Sequence, residues 1–352
     1  MAINPDKLMT FMGKLVGDLG AMMSIGPMIV GEKLGLYKTM ADGVPINAAQ
    51  LAARTNTDER YVREWLCAQA ASGFIEYDDA AAMFSMTEEQ AAALGAEGGP
   101  FYFLGAIEVA VAMVRDEPKI LEAFRTGKGV GWHEHDMCLF RGTERFFRPG
   151  YVRHLLSEWI PALDGVKEKL EAGGRVADVG CGHGASTILM AQAFPKSHFW
   201  GFDYHTPSIE KARVAAAAAG VEDRTTFEVA PAKSYPGEGY DMVAFFDCLH
   251  DMGDPVGAAR HVHSTLADTG VWMIVEPMAS DQVEQNLNPV GRVFYSASTF
   301  VCTPASRAQE VGLALGAQAG EARLRGVISE GGFAHIRRAA ETPFNMVLEA
   351  KR

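Results

Sequence analysis

The stretch Val176-Ala177-Asp178-Val179-Gly180-Cys181-Gly182-His183-Gly184 constrains this 352-residue chain more than any other. A short apolar run holding one acid gives way to three glycines at alternate positions. The run suits a buried strand, and the glycines let the backbone turn sharply into a helix. Such a turn presents N–H groups at a helix start and lets a ligand approach the main chain. It therefore reads as the cradle of a nucleotide-like cofactor, or, with no ligand, as a tight strand–helix turn.

Two neighbours of the turn bear on which cofactor it would hold. A dinucleotide-binding turn carries G-x-G-x-x-G/A and places a pyrophosphate at the helix N-terminus. Here the spacing is G-x-G-x-G, and Asp178 would repel a phosphate while suiting a cation. A second strand, Ser197 to Asp203, ends in an acid about twenty residues on, the offset at which an acid accepts from ribose hydroxyls. This ordered set, Asp178, the glycines and Asp203, resembles the motifs of class I methyltransferases. The resemblance implies S-adenosylmethionine as cofactor, a molecule with a sulfonium and no phosphate.

The length fits two domains, with 48% hydrophobic and 22% charged residues. A net charge of −12 argues against sequence-independent nucleic-acid binding, which needs a basic surface. The five cysteines, Cys67, Cys138, Cys181, Cys248 and Cys302, form no C-x-x-C pair. That argues against disulfides and zinc and fits a reducing cytoplasm. No signal peptide is expected, because Lys7 and Lys14 are interleaved with Asp6 and Asp18. No run of about 18 apolar residues occurs, so no membrane span is expected.

Three regions follow from patterning: 1–95, 96–151 and 152–352. Pro5 to Ala41 reads as helical, with Met9, Met12, Leu15, Val16, Leu19, Met22 and Met23 at three- and four-residue spacing. That stripe belongs either in a domain core or in a helical dimer interface. A short helix opens at Asn47. A longer one is capped by Thr57 and stopped by Gly73, and Phe74–Tyr77 and Met83–Met86 follow as a two-stranded wing. Helix, turn, helix and wing together resemble a winged helix. Its second helix carries Arg60 and Arg63 but also Asp58, Glu59 and Glu64, so a scaffold role stands ahead of DNA binding.

Residues 91–151 form a segment rich in glycine and aromatics, and a helix from about Val152 to Leu170 leads into the first strand. From there strands and helices alternate. Strands are expected at Arg175–Val179, His198–Phe202, Thr225–Val229, Tyr240–Phe246 and Gly270–Glu276. Helices are expected at Ala185–Ala193, Pro207–Ala219 and Pro255–Leu266. Phe333–Arg338 and Phe344–Ala350 would add an antiparallel edge. The pattern is an α/β fold, a doubly wound, mostly parallel seven-stranded sheet behind a mainly helical winged-helix domain.

Ligands of such sheets sit beyond the carboxyl ends of the strands. The first strand offers Asp178, Gly180, Cys181, Gly182 and Gly184. The second offers Asp203 for the ribose and Tyr204 for the adenine face. At the third, many class I methyltransferases place an acid where this chain has Pro231, so adenine would rest on the backbone of Ala232 and Lys233. The fourth ends in Asp247 and Cys248, which the resemblance places at the methionyl end. His250-Asp251 then resembles the His-Asp-Trp-Ser-Asp run of small-molecule O-methyltransferases, with Met252 and Gly253 in place of Trp and Ser. A hydroxyl of pKa ~10 must lose its proton as it attacks carbon, and an imidazole near ~6.5 suits that at neutral pH. His250 is thus a general base, a loop-structuring His or a metal ligand. Asp251 would orient it or cap the next helix. Glu276, ending the fifth strand, would orient the substrate or be a buried, hydrogen-bonded acid.

Trp132-His133-Glu134-His135-Asp136 and the run to Tyr151 form a second cluster. His133 and His135 would share a strand face, which raises a metal site, although sequence places no third ligand. With Phe147 and Tyr151 they would alternatively wall or cover the acceptor pocket, or simply pack a domain interface.

From end to end the chain is similar to actinobacterial-type two-domain methyltransferases with an N-terminal winged-helix dimerisation domain. The similarity is carried by Lys38–Ala41 through Tyr61–Leu66, by Arg141–Tyr151 and by Ala339–Ala350. It implies the cofactor and a homodimer and names no acceptor; with the cysteines and His250, the reading is a cytoplasmic enzyme acting on a small molecule, with O-methylation first among the chemistries and no bound metal. A winged-helix regulator that senses S-adenosylmethionine, and a cofactor-binding protein without catalysis, remain as competing classes.

Overall fold

A computed structural model describes residues 3–352. Contacts divide the chain into two units. One takes in residues up to Val111 together with Arg141–Pro149, and the other takes in Ala112–Phe140 together with Gly150–Arg352. The segment 96–151, expected as a connector, is shared between them.

The first unit is helical with a small wing. The expected Pro5–Ala41 helix is two, Pro5–Lys33 (α1) and Leu36–Met40 (α2), because Gly35 turns the chain at φ 69°. Ala48–Thr55 (α3) opens on Asn47 with a reciprocal Gln50 cap. Glu59–Ala71 (α4) is capped by Asp58, not Thr57: the Asp58 carboxylate accepts from the N–H groups of Arg60 and Tyr61. The wing pairs Glu76–Asp78 (β1) with Met83–Ser85 (β2). Leu36, Tyr37, Met40, Leu51 and Leu66 fill the core. There Trp65 donates from Nε1 to the Pro27 carbonyl at 2.8 Å. A side chain at Gly31 would collide with that indole, so Gly31 permits the α1–α4 crossing. Arg60 is paired with Glu64 at 2.6 Å, which removes one of the two cations that α4 would offer to DNA.

The N-terminal stripe lies on the surface. Met9, Val16 and Met23 are 66–70% exposed, and Met12 and Leu19 lie between them at about half exposure. The absence of an uninterrupted apolar run hid a further property: α1 is long and apolar enough, by length and composition, to cross a bilayer. Lys14 and Asp18 interrupt the run but pair with each other one turn apart.

The second unit is built on a seven-stranded sheet. Arg175–Val179 (β3), His198–Asp203 (β4), Thr225–Val229 (β5), Tyr240–Phe246 (β6), Leu266–Pro277 (β7) and His335–Glu341 (β8) point the same way, and Asn345–Lys351 (β9) alone runs back. The order is β5-β4-β3-β6-β7-β9-β8, with β9 antiparallel between β7 and β8. Helices Ala185–Ala193, Thr206–Ala218 and Pro255–Thr265 cross over between the parallel strands. The doubly wound fold expected from the alternation is thus present. β3 pairs with β4 on one side and β6 on the other, so chain order reverses at β3 and opens a crevice above its carboxyl end. The core strands are apolar on both faces, with Phe199, Phe202, Phe245 and Trp272 fully buried. Each such side chain contributes about 1.5–3 kcal/mol of burial, which fixes the strand ends that carry the site.

The helix expected from Val152 to Leu170 is broken. A π-helical segment, Tyr151–Trp159, runs into Ile160–Ala162, and after a turn at Gly165 the helix Val166–Ala172 begins.

Candidate active site

Gly180, Gly182 and Gly184 all adopt left-handed backbone, at φ 77°, 52° and 80°. Two of them are also sterically obligatory. A Cβ on Gly180 would lie 2.9 Å from Cys248 Sγ, and one on Gly184 would lie 2.9 Å from the Phe227 ring. Gly182 faces open space instead, where a ligand can approach the backbone. Phe202 O accepts from the N–H groups of Gly180 and Cys181 at 2.8 and 3.1 Å, which ties the turn to β4.

Asp178 is buried behind the turn. Its Oδ2 accepts from the Ser186 and Thr187 hydroxyls, both at 2.6 Å, while Oδ1 has no protein partner. Burial raises its pKa to about 6 against the pull of the two hydroxyls, and nearby Asp203 adds to the rise. Asp203 accepts from Gly182 N at 3.0 Å and from His205 N at 2.8 Å, one oxygen each. Each oxygen keeps a second lone pair for an outside donor. Burial raises this carboxyl too. Tyr204 projects beyond β4, half exposed. Ala232 and Lys233 sit in the turn closed by Ser234 N donating to Pro231 O. The Lys233 ammonium is engaged by Asp254 at 3.1 Å and Glu310 at 2.7 Å.

The ends of β6 and β7 bring His250 and Glu276 together. His250 is 4% exposed. Its Nδ1 lies 2.7 Å from Glu276 Oε2, and its Nε2 lies 3.3 Å from Cys302 Sγ. Glu276 Oε1 accepts from Leu249 N at 2.9 Å, so the carboxylate is fixed at both oxygens. Burial alone would lower the imidazole pKa, but Glu276, and after it Cys302, hold it well above the ordinary value. Glu276 is therefore the acid that orients the ring. Asp251 neither orients the ring nor caps the next helix. It accepts from Trp132 Nε1 at 2.9 Å, and Asp254 caps the helix by accepting from Gly257 N.

Asp247 sits at φ 50°, a conformation that costs a non-glycine residue of order 1–3 kcal/mol. The turn aims its carboxylate at Asn345 Nδ2, 2.7 Å away on β9, with the Tyr151 hydroxyl at 3.5 Å. Burial, and then Glu276, push its pKa well up. Cys248 lies over the glycine turn, its thiol 3.3 Å from Val179 O.

Trp132–Glu134 is a 3-10 turn, not a strand. His133 is exposed, whereas His135 is buried with Nδ1 2.9 Å from Asp116 Oδ2. The two histidines therefore do not converge. No cluster of three or more His, Cys, Asp or Glu suited to a metal occurs among the described residues. The segment around Trp132 packs against residues that follow β4 and β6. Val130 N donates to Pro304 O, Phe140 stacks on His205 at 4.4 Å, and Trp132 reaches Asp251. Tyr151 packs beside Phe246 at 5.1 Å. Phe147 lies in the other unit, edge-on to Phe146.

Residues 170–311 match the family described as "Methyltransferase domain", and residues 19–96 match the "Rv2258c-like winged HTH domain". The chain carries a class I S-adenosylmethionine-dependent methyltransferase domain behind a winged-helix domain. Over 103 residues it is 35% identical to the 27-O-demethylrifamycin SV methyltransferase of Amycolatopsis mediterranei, covering 29% of this chain and 38% of that protein. Over 155 residues it is 29% identical to the ubiquinone biosynthesis O-methyltransferase of Bordetella avium, covering 43% and 58%. The chain thus spans less than two thirds of these curated relatives. Human N-acetylserotonin methyltransferase, solved with S-adenosylmethionine, shares the fold at a TM-score of 0.74 and 16% identity, covering 100% of this chain and 99% of that one.

The methyltransferase cofactor fits this donor set. Asp178 offers an unpartnered carboxylate oxygen suited to an ammonium group, Gly182 leaves the backbone open, and Asp203 keeps lone pairs for two ribose hydroxyls. Sequence reasoning overlooked Asn345 and the placement of Cys302 and Trp132. Asn345 has no local signature, since its partner Asp247 lies 98 positions away. Cys302 ends a second π-helical segment, Ser298–Cys302, that no composition signal marks.

Proposed function

We propose that this methyltransferase moves the methyl group of S-adenosylmethionine to an oxygen of a small molecule, with His250 as general base. The observation that carries the reading is the buried His250–Glu276 pair at the β6 and β7 ends, in the sheet that also ends in the glycine turn. When bound, the cofactor supplies an electrophilic methyl carbon on a sulfonium. Asp178 and Asp203 hold it, and Asp247, Cys248 and Tyr151 line the region where the acceptor meets it. The names of both curated relatives are those of methyltransferases, one explicitly an O-methyltransferase, and this supports oxygen as the target.

Neutral imidazole is the final acceptor of the proton released as oxygen attacks carbon, and Glu276 stabilises the imidazolium that forms. The base form grows as pH rises, and because the fold raises the pKa of His250 the accompanying rise in rate lies above the ordinary imidazole range. Replacing His250 by Gln tests the assignment. The expected result is a fall of about 10²–10⁴-fold in the rate on the acceptor, with affinity for S-adenosylhomocysteine retained. An unchanged rate sinks the assignment.

The reading extends to the partner, a second copy of this chain joined through α1. Met9, Met12, Val16, Leu19 and Met23 alternate spacings of three and four, the 3.5-residue repeat of a helix-to-helix seam. All are exposed, and Gly13, Gly17 and Gly20 leave open space for close backbone approach. The free cysteines are the support for a cytoplasmic location.

A further inference from the structure

The general base is sealed at both nitrogens. Nδ1 faces Glu276 and Nε2 faces Cys302, so no nitrogen is left for the acceptor that His250 is meant to serve. The imidazole has little freedom to turn away. Glu276 grips one edge at 2.7 Å and is itself held by Leu249 N, while the His250 carbonyl accepts from Gly316 N at 3.2 Å. The thiol is as firmly placed. Cys302 ends the π-helical segment Ser298–Cys302, and Ser298 Oγ at its start accepts from Ala317 N at 3.0 Å. π-helical turns are uncommon and recur at functional sites, because the extra residue re-aims a side chain. Here the side chain at the end of the turn stands against the one nitrogen the base can use.

We propose that Cys302 is a proton relay between the acceptor and His250, which makes Glu276, His250 and Cys302 a three-member chain. This rests on the reading of the protein as an O-methyltransferase. As the acceptor's oxygen forms its bond to the methyl carbon, the carbon–sulfur bond breaks and its electron pair stays on the departing sulfur. The acceptor's O–H bond breaks and that proton passes to Sγ, while the thiol's own proton passes to Nε2. Glu276 compensates the imidazolium charge, and after product release the proton returns to water. A thiol serves here because it donates and accepts at one atom.

The groups facing His250 are Glu276 from β7, Asp247 from the end of β6, Asp251 beside it in the chain, and Cys302. The three carboxyl groups remain in a Cys302→Ala variant, so a change in titration reports the thiol. Cys302 helps to hold the imidazole pKa up, and its removal moves that pKa down.

The test uses the full chain and two variants, Cys302→Ala and Cys302→Ser. Titration of the His250 ring by nitrogen NMR needs no acceptor. The ring pKa is expected to fall in Cys302→Ala and to recover in part in Cys302→Ser, while S-adenosylhomocysteine affinity stays within twofold of wild type. With an acceptor, kcat in Cys302→Ala falls about 10–100-fold at little change in KM, and Cys302→Ser restores part of it. A proton inventory in mixed light and heavy water curves for the wild type, two protons moving, and is linear for Cys302→Ala. A ring pKa unmoved in Cys302→Ala, or wild-type kcat with a linear inventory in both proteins, overturns the relay. If the wild type methylates nothing while the ring pKa still falls in Cys302→Ala, the contact stands and the O-methyltransferase reading is what fails.

Discussion

Asp178→Asn removes a charge from the cofactor cradle while keeping its shape. Asp178 is fully enclosed, its Oδ2 held by two hydroxyls and its Oδ1 unpartnered. The hydroxyls of Ser186 and Thr187 rotate to suit an amide, so the fold should accept the change. What is lost is a hydrogen bond from the cofactor's ammonium to a charged group, about 1.5–3 kcal/mol, or roughly 10–150-fold in Kd. The pH dependence makes the test specific. With its pKa raised to about 6, Asp178 is ionised at pH 8 but only about one-tenth ionised at pH 5. Wild-type affinity for S-adenosylhomocysteine should therefore weaken about tenfold between pH 8 and pH 5 from this group alone. The variant should be weaker at pH 8 and lose less on acidification, keeping only the fall contributed by Asp203, whose carboxyl is also raised. Calorimetry across that range reads both proteins. Equal affinity at pH 8, or parallel pH curves, refutes the placement of the ammonium at Asp178. Asp251 also titrates at about 6, but it is present in both proteins and cancels in the comparison.

Two further outcomes follow from the geometry. Gly184→Ala forces a side chain into left-handed backbone and against the Phe227 ring, and should cost about 1–3 kcal/mol in chemical denaturation; a stability within error of wild type contradicts the packing at the turn. Glutamate at both Met9 and Val16 should convert a dimer to a monomer in sedimentation, and a wild-type protein that sediments as a monomer and floats with lipid vesicles instead assigns α1 to a membrane.

The framework of the catalytic unit was legible because it is local. β3, β5 and β6 and the Ala185–Ala193 helix begin and end where apolar runs, glycines and alanines say they should. Signals gave way where contacts are long-range. Thr57 looks like a cap, but Asp58 is the residue whose carboxylate meets the first turn of α4. β7 starts four residues before Gly270, because Leu266 pairs with Tyr240 across the sheet. His133 and His135 share a spacing, but burial of His135 on Asp116 separates them. The active site shows the same division. The glycine turn and both of its acids announce themselves within thirty residues. Of the two partners of His250, Glu276 is marked by its place at a strand end, whereas Cys302, 52 residues away, has nothing local to mark it.

The central claim is methyl transfer to a small molecule, and supplying the protein with methyl-labelled S-adenosylmethionine and fractionated metabolites tests it most directly. The account predicts label in a low-molecular-weight fraction as an alkali-stable ether, absent when His250 is Gln. Label confined to protein or nucleic acid, or none in any fraction while the cofactor still binds, contradicts it.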